Sequence, residues 1–207
     1  MARQLILNEL EMDMLREVGS IGASHATNSL AEMTGTKVSI EVPALEIRPV
    51  EQLISREGGE ELVAGVYVEL EGDVNGVIVL MLDIASALQL VEQITGMPPA
   101  GEELTEMEVS VLQEVGNIMA SHFSNALADF LGMKIMPMPP ALAVDMAAAL
   151  LDFIMLEQAC KTGDAILFKT RFIFQPRQIS GNIFLMPDPE SLDRIVTMLR
   201  EKVGLGA

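Results

Sequence analysis

The chain has 207 residues, half of them hydrophobic, with few aromatics, no Trp and 15 Met. That suffices for one large domain or two small ones, with a core of Leu, Ile, Val and adaptable Met. The formal charge of −17 argues against nucleic acid or an anionic membrane as partner, and fits solubility or a basic patch on another protein.

Cys160 is the lone cysteine, so no intrachain disulfide forms and a reducing compartment is expected. The opening MARQLILNELEMD has no signal-peptide h-region, and MAAALLDFIML is broken by Asp152, well short of the roughly 18 apolar residues of a span. The expected location is the cytoplasm.

Along the chain, Asn8-Glu9-Leu10-Glu11 sets a capping side chain three residues before a Glu, which starts a helix. The helix should run to about Thr34, with Gly35 as stop signal. Lys37–Ile47 is β-prone but contains Pro43, which favours an edge strand or a bend. A short link, Glu51–Glu60, precedes strands Leu62–Glu71 and Gly76–Leu82, joined near Asp73-Val74-Asn75-Gly76, where Asn-Gly signals a hairpin. A helix over Ile84–Thr95 closes the first half.

The second half repeats the plan. Thr105-Glu106-Met107-Glu108 starts a helix to about Leu131, with Gly132 after it, and Lys134–Val144 is β-prone around Pro140. An amphipathic helix at about Asp145–Cys160 has no counterpart in the first half. Strands Ala165–Gln175 and Ile179–Met186 and a helix over Pro189–Val203 follow. Three strands alone make a poor sheet, and only Met97–Glu102 intervenes between the halves. The expected fold is α/β (α+β): a single pseudo-symmetric domain over 1–207, with repeats of about 1–100 and 101–207 sharing a sheet of about six strands.

The duplication is explicit. Arg16–Val38 aligns with Gln113–Ile135 at a fixed offset of 97, and twelve of the 23 pairs are identical, including Glu17/Glu114, Gly19/Gly116, His25/His122 and Asn28/Asn125. Ser20 opposite Asn117 is the main departure.

At 3.6 residues per turn, Asp13, Glu17, Ser20, Ser24 and Thr27 share one exposed stripe, with Glu9 and Arg16 beside it and Leu10, Met14, Leu15, Val18 and Ile21 on the other side. In the second copy the stripe is Glu106, Ser110, Glu114, Asn117, Ser121 and Ser124. Gly19, Gly22, Ala23 and Gly116 leave it smooth. A helical Gly costs about 1 kcal/mol relative to Ala, which close approach of another backbone or tight helix packing would offset. Glu and Asn three residues apart lie adjacent and point outward together. Such a pair has no nucleophile. Its carboxylate can hold a cation while its amide orients a water, as amides do in phosphoryl transfer.

The pattern Asp/Ser-x3-Glu-x2-Asn-x22-Pro resembles the signature of the CheC/CheX/FliY family of chemotaxis phosphatases. Ser110, Glu114, Asn117 and Pro140 fit it throughout; Asp13, Glu17, Ser20 and Pro43 fit except at Ser20. Two copies over about 200 residues resemble the CheC type rather than single-site CheX or longer FliY. The resemblance implies intertwined repeats and dephosphorylation of the phospho-aspartyl form of a CheY-type response regulator. It implies that Glu114 pairs with a regulator lysine and that Asn117 aligns water for in-line attack. It implies no cofactor of the chain's own, Mg²⁺ on the regulator, and CheD, a receptor deamidase, as a second partner. The shorter Ser20 side chain should leave site one weak or able only to dock. The alternative is a non-catalytic module regulating CheD or the flagellar switch.

Other residues carry less. His25 and His122 sit about 80° around the helix from their Glu with no second ligand at i+4, and read as boundary or core histidines. Cys160 reads as a small apolar residue. No P-loop is present. Asp73 and Asn75 read as a hairpin rather than a calcium loop. The helix at Asp145–Cys160 should bury Met146, Ala149, Leu150, Phe153 and Leu156 on one side, and is a candidate face for CheD.

Overall fold

The structure is a computed structural model that describes residues 7–49, 52, 60–157, 164–202 and 204. Cys160 and nearly all of the 51–60 link lie outside them. The described elements are α1 (Glu9–Thr34), β1 (Ser39–Pro49), β2 (Leu62–Gly72), β3 (Gly76–Asp83), α2 (Ile84–Thr95), α3 (Glu106–Leu131), β4 (Ile135–Pro137), β5 (Ala141–Met146), α4 (Ala147–Glu157), β6 (Asp164–Phe174), β7 (Arg177–Pro187) and α5 (Pro189–Lys202).

Both long helices start and stop where their local sequence directs. At α1 the Glu11 N–H donates to Asn8 Oδ1 at 2.9 Å and the Asn8 N–H donates to Glu11 Oε2 at 2.7 Å. Thr105 and Glu108 repeat this capping box at α3, and each helix ends on a left-handed glycine, Gly35 or Gly132. Thr105 also donates its hydroxyl to Glu108. Its backbone N–H and that hydroxyl hold the Glu108 carboxyl below the usual carboxylate range.

All strand pairs are antiparallel, in the order β1-β6-β7-β3-β2-β4, with β5 following β4 along β2. Replacing each strand by its repeat counterpart (β1 by β4/β5, β2 by β6, β3 by β7) returns the same order reversed. A pseudo-two-fold axis therefore stands perpendicular to the sheet between β3 and β7. The repeats are interleaved, since β1 pairs with β6 of the other repeat and β5 with β2. Among the described residues seven strands fill the six expected positions, because Pro140 divides the Lys134–Val144 strand into β4 and β5, which lie end to end along β2.

Both prolines occupy equivalent bulges. Between Glu41 and Ala44, β1 carries one residue more than β6 opposite, and the break holds Pro43. Between Pro137 and Ala141 the chain likewise carries one more than β2, and the break holds Pro140. An edge strand tolerates the lost donor, and a bulge bends it.

The sheet is covered on both faces. One core joins α1, α3, α2 and α5 to the sheet through Leu15, Val18, Leu112, Leu90, Phe168 and Leu199. On the other face Ala147, Leu150, Leu151 and Ile154 of α4 pack on Val79, Leu167 and Phe184. The inward side of α4 thus differs from the expected one: Met146 and Phe153 are exposed and Leu156 is 83% exposed. The Asn-Gly pair also acts otherwise than as a turn centre. Gly76 opens β3 at φ 150°, and a Cβ there would lie 2.4 Å from the Met186 carbonyl oxygen. Asp73 closes the loop by accepting from the Lys134 N–H at 2.8 Å.

Candidate functional site

A two-fold axis normal to the sheet carries a helix to the same face and reverses it. So α1 and α3 lie antiparallel on one face with their outer stripes pointing the same way. Equivalent residues meet where they cross: the His25 and His122 rings stack with centroids 6.0 Å apart. Glu17 and Glu114 each lie eight residues before that crossing, about 12 Å along the axis. The two motif turns therefore flank it at opposite ends, on the order of 24 Å apart.

Glycine sets the height of each helix above the sheet. A Cβ on Gly116 would lie 2.3 Å from Val66 Cγ1, and one on Gly19 would lie 2.8 Å from the Phe168 ring. Both glycines are buried against sheet side chains, rather than clearing the outer stripe for a partner or meeting another helix. Gly22 serves helix–helix packing: a Cβ there would lie 3.0 Å from Phe123 Cα. With the inward face set this way, the motif residues are directed outward.

Site two consists of Ser110 and Glu114, both exposed, and half-buried Asn117. Ser110 Oγ donates to the Glu106 carbonyl at 2.9 Å. Among the described residues the side chains of Glu114 and Asn117 take part in no hydrogen bond or ion pair, which leaves the exposed carboxylate and the half-buried carboxamide unengaged. In site one Asp13, Glu17 and Ser20 are all exposed. There, however, Asp13 is ion-paired with Arg16, and Ser20 Oγ donates to the Arg16 carbonyl at 2.9 Å. Its single donor hydrogen is spent on its own helix. The two stripes differ in chemistry as well as in reach: one offers a free carboxylate and carboxamide, the other a free carboxylate beside a guanidinium. Pro43 and Pro140 shape their edge strands and contribute no reactive group.

Each stripe is shorter than its spacing suggests. Thr27 Oγ1 accepts from the Ile40 N–H of β1 at 2.9 Å, and Ser124 is buried. The supposed opposite side also divides: Leu15 and Val18 are buried, but Leu10 and Ile21 are exposed. The histidines are boundary residues rather than core. His25 is exposed, and half-buried His122 has Nε2 2.7 Å from Ser29 Oγ. Burial, then the neighbouring His25, lowers the His122 pKa. They border an open groove of about 470 Å³ with Asn125 and Asp129. Among the described residues no group of three His, Cys, Asp or Glu side chains is placed to hold a metal, and no helix is long and apolar enough to cross a membrane. The bonded state of Ser20 was also hidden from the sequence, since its acceptor is a backbone atom.

The sequence model of the CheC-like family matches residues 10–47 and 107–144, two segments that contain both copies of the motif. The CheY-P phosphatase CheC of Bacillus subtilis is 31% identical over 199 residues, covering 93% of this chain and 95% of that protein. Among solved structures, Thermotoga maritima FliY superposes with a TM-score of 0.75 at 20% identity, covering 96% of this chain and 100% of that one. FliM of H. pylori, from a FliM–SpeE complex, does so with a TM-score of 0.70 at 10% identity, covering 96% and 98%. These two likenesses establish the fold. The chain belongs to the CheC-like family.

Proposed function

We propose that this protein dephosphorylates the phospho-aspartyl form of a CheY-type response regulator, and that site two carries the reaction. The supporting observation is the outward, unengaged pair Glu114 and Asn117, one turn apart on a helix held against the sheet by Gly116. An acyl phosphate needs no nucleophile from this chain. Water attacks phosphorus, the bond from phosphorus to the aspartyl oxygen breaks, and the carboxylate and inorganic phosphate separate. What this chain supplies is position. The Asn117 carboxamide accepts from the attacking water and orients its lone pair in line, while the Glu114 carboxylate pairs with a lysine of the regulator and fixes the approach. Mg²⁺ bound to the regulator would neutralise charge on the phosphoryl oxygens. The kinship to a CheY-P phosphatase along nearly the whole chain supports the same reading.

The test is decay of the phosphorylated regulator. Asn117→Ala should lose on the order of 100-fold of the added rate, the scale of a mispositioned reactant. Ser20→Ala should leave most of it. A larger loss from Ser20→Ala refutes the assignment of site two. For CheD, the surface we favour is the outer side of α4, where Phe153 and Leu156 stand exposed beside Asp152. Reversing the charge at Asp152 without effect on CheD binding would count against it. The rival reading is a non-catalytic module regulating CheD or the flagellar switch; the engaged Ser20 of repeat one favours it, and decay of the phosphorylated regulator at the same rate with and without this protein would select it.

A further inference from the structure

Beside the polar row, each motif helix carries a second, apolar row that the core takes up only in part: Met14, Val111 and Ile118 pack against it, while Leu10, Ile21 and Met107 stand exposed. With Glu114 as reference and 100° per residue, Ser121, Ser110 and Asn117 fall about 20°, 40° and 60° to one side. Met107, Ile118 and Val111 fall by the same angles to the other. Around Glu17 the polar row is Ser24, Asp13 and Ser20, and the opposite row is Leu10, Ile21 and Met14. Leu10 is 54% exposed, Met107 46% and Ile21 38%; Met14, Val111 and Ile118 are half-buried. Single exposed apolar residues are ordinary on protein surfaces. Here three stand in line at the same places of both repeats, with Leu exchanged for Met and Met for Val while the character stays apolar.

We propose that the row Met107–Val111–Ile118 is the apolar ledge on which the phosphorylated regulator docks while Glu114 and Asn117 enter its phosphate site. This rests on the phosphatase reading above and adds to it a determinant of affinity. The ledge is continuous with the catalytic pair: Met107 lies two turns, about 10.5 Å, up the helix from Glu114 and only about 20° around it. Any surface that admits Glu114 lies against Met107 as well. An apolar anchor beside a few directed polar groups is the usual build of an interface centre. It also accounts for repeat one, which keeps the ledge and the carboxylate but not the amide, and so retains docking without the water-orienting group.

The experiment is steady-state turnover of the phosphorylated regulator by Met107→Ser and Met107→Leu. Met107→Ser should raise KM on the order of tenfold, as expected for an anchor of this size, with kcat within twofold because the side chain has no group that reaches phosphorus. Met107→Leu, the residue of repeat one, should restore KM, and neither change should move Tm. An unchanged KM in Met107→Ser overturns the ledge. So does a ledge used instead by a second copy of this chain, seen as a wild-type dimer in sedimentation that Met107→Ser converts to monomer with KM unaltered. Failure of the underlying reading looks different: Asn117→Ala would then hydrolyse at the wild-type rate, whatever Met107 does.

Discussion

Gly116→Ala tests how the fold positions the site. The added methyl would stand 2.3 Å from Val66 Cγ1 and 2.7 Å from Val66 Cβ, against about 3.5–4.0 Å for carbon atoms in contact. Rotating Val66 moves Cγ1 but not Cβ, and Val66 is only 2% exposed, so α3 must lift by about 1 Å or more. Overpacking of this kind costs about 1–3 kcal/mol, and a contact this short belongs at or above the top of that range. The better helix propensity of Ala returns at most about 1 kcal/mol. For a chain of this length a net 2–3 kcal/mol corresponds to a Tm lower by roughly 4–12 °C. Because the lifted turn carries Glu114 and Asn117, regulator dephosphorylation should fall with it. Val66→Ala removes the 2.3 Å contact but leaves Cβ, so combining the two should give partial rescue, a coupling of about 1 kcal/mol in a double-mutant cycle. Gly101→Ala, with nothing within 4 Å, is the control and should change little. A Gly116→Ala protein that melts like wild type, or losses that simply add, would show that the glycine does not set the helix height.

Three further outcomes follow from particular contacts. His122 has its pKa lowered in the folded chain by burial and by His25, so the unfolded chain binds the proton more tightly; stability is full above the unfolded value near 6.5 and declines as pH falls through it. Melts from pH 8 to 5 should show that slope, and His122→Gln should flatten it. The Glu108 carboxyl is held low by Thr105, so its contribution is present above about pH 4.5 and lost as the pH falls through the folded value. Glu108→Ala should cost about 1 kcal/mol at neutral pH, as lost caps do, and less in acid. In an Asn117→Ala background, Arg16→Gln with Ser20→Asn should return phosphatase activity to repeat one, read as faster decay of the phosphorylated regulator; no gain would mean that site one lacks more than the amide.

Most of the fold was legible because its signals are local. The capping boxes at Asn8 and Thr105 and the stops at Gly35 and Gly132 placed both motif helices at their observed ends, and Pro43 and Pro140 marked the two bulged edges. What the sequence concealed was direction. Periodicity separates a polar from an apolar side, but it cannot tell which apolar positions meet the sheet; Leu10 and Ile21 were thus grouped with Leu15 and Val18, though only the latter pair is buried. The same ambiguity put Phe153 and Leu156 inward on α4, whose contact face is set by Gly65. There a Cβ would lie 2.6 Å from Leu150 Cδ1, so the helix seats Leu150 against the bare backbone. Glycine read alone gave the wrong neighbour for Gly19 and Gly116, because the atom that requires it belongs to a strand far away in sequence.

The asymmetry between the two sites follows from where folding energy is stored. Gly19 and Gly116, Leu15 and Leu112, and the two capping boxes are held in both repeats by packing and backbone pairing, so a change at any of them disturbs the helix itself. Ser20 and Asn117 lie on the outer stripe and hold nothing in place. Ser20 bonds only its own helix and Asn117 bonds no described residue, so exchanging one for the other leaves the interleaved sheet untouched. A duplicated fold of this kind can carry an amide in one copy and a hydroxyl in the other without structural cost. Glu17, which is equally free of folding duty, nevertheless matches Glu114. A carboxylate present in both copies where packing does not need it, beside the exposed Leu10 and Met107 at equivalent places, is what a surface that holds a partner would present.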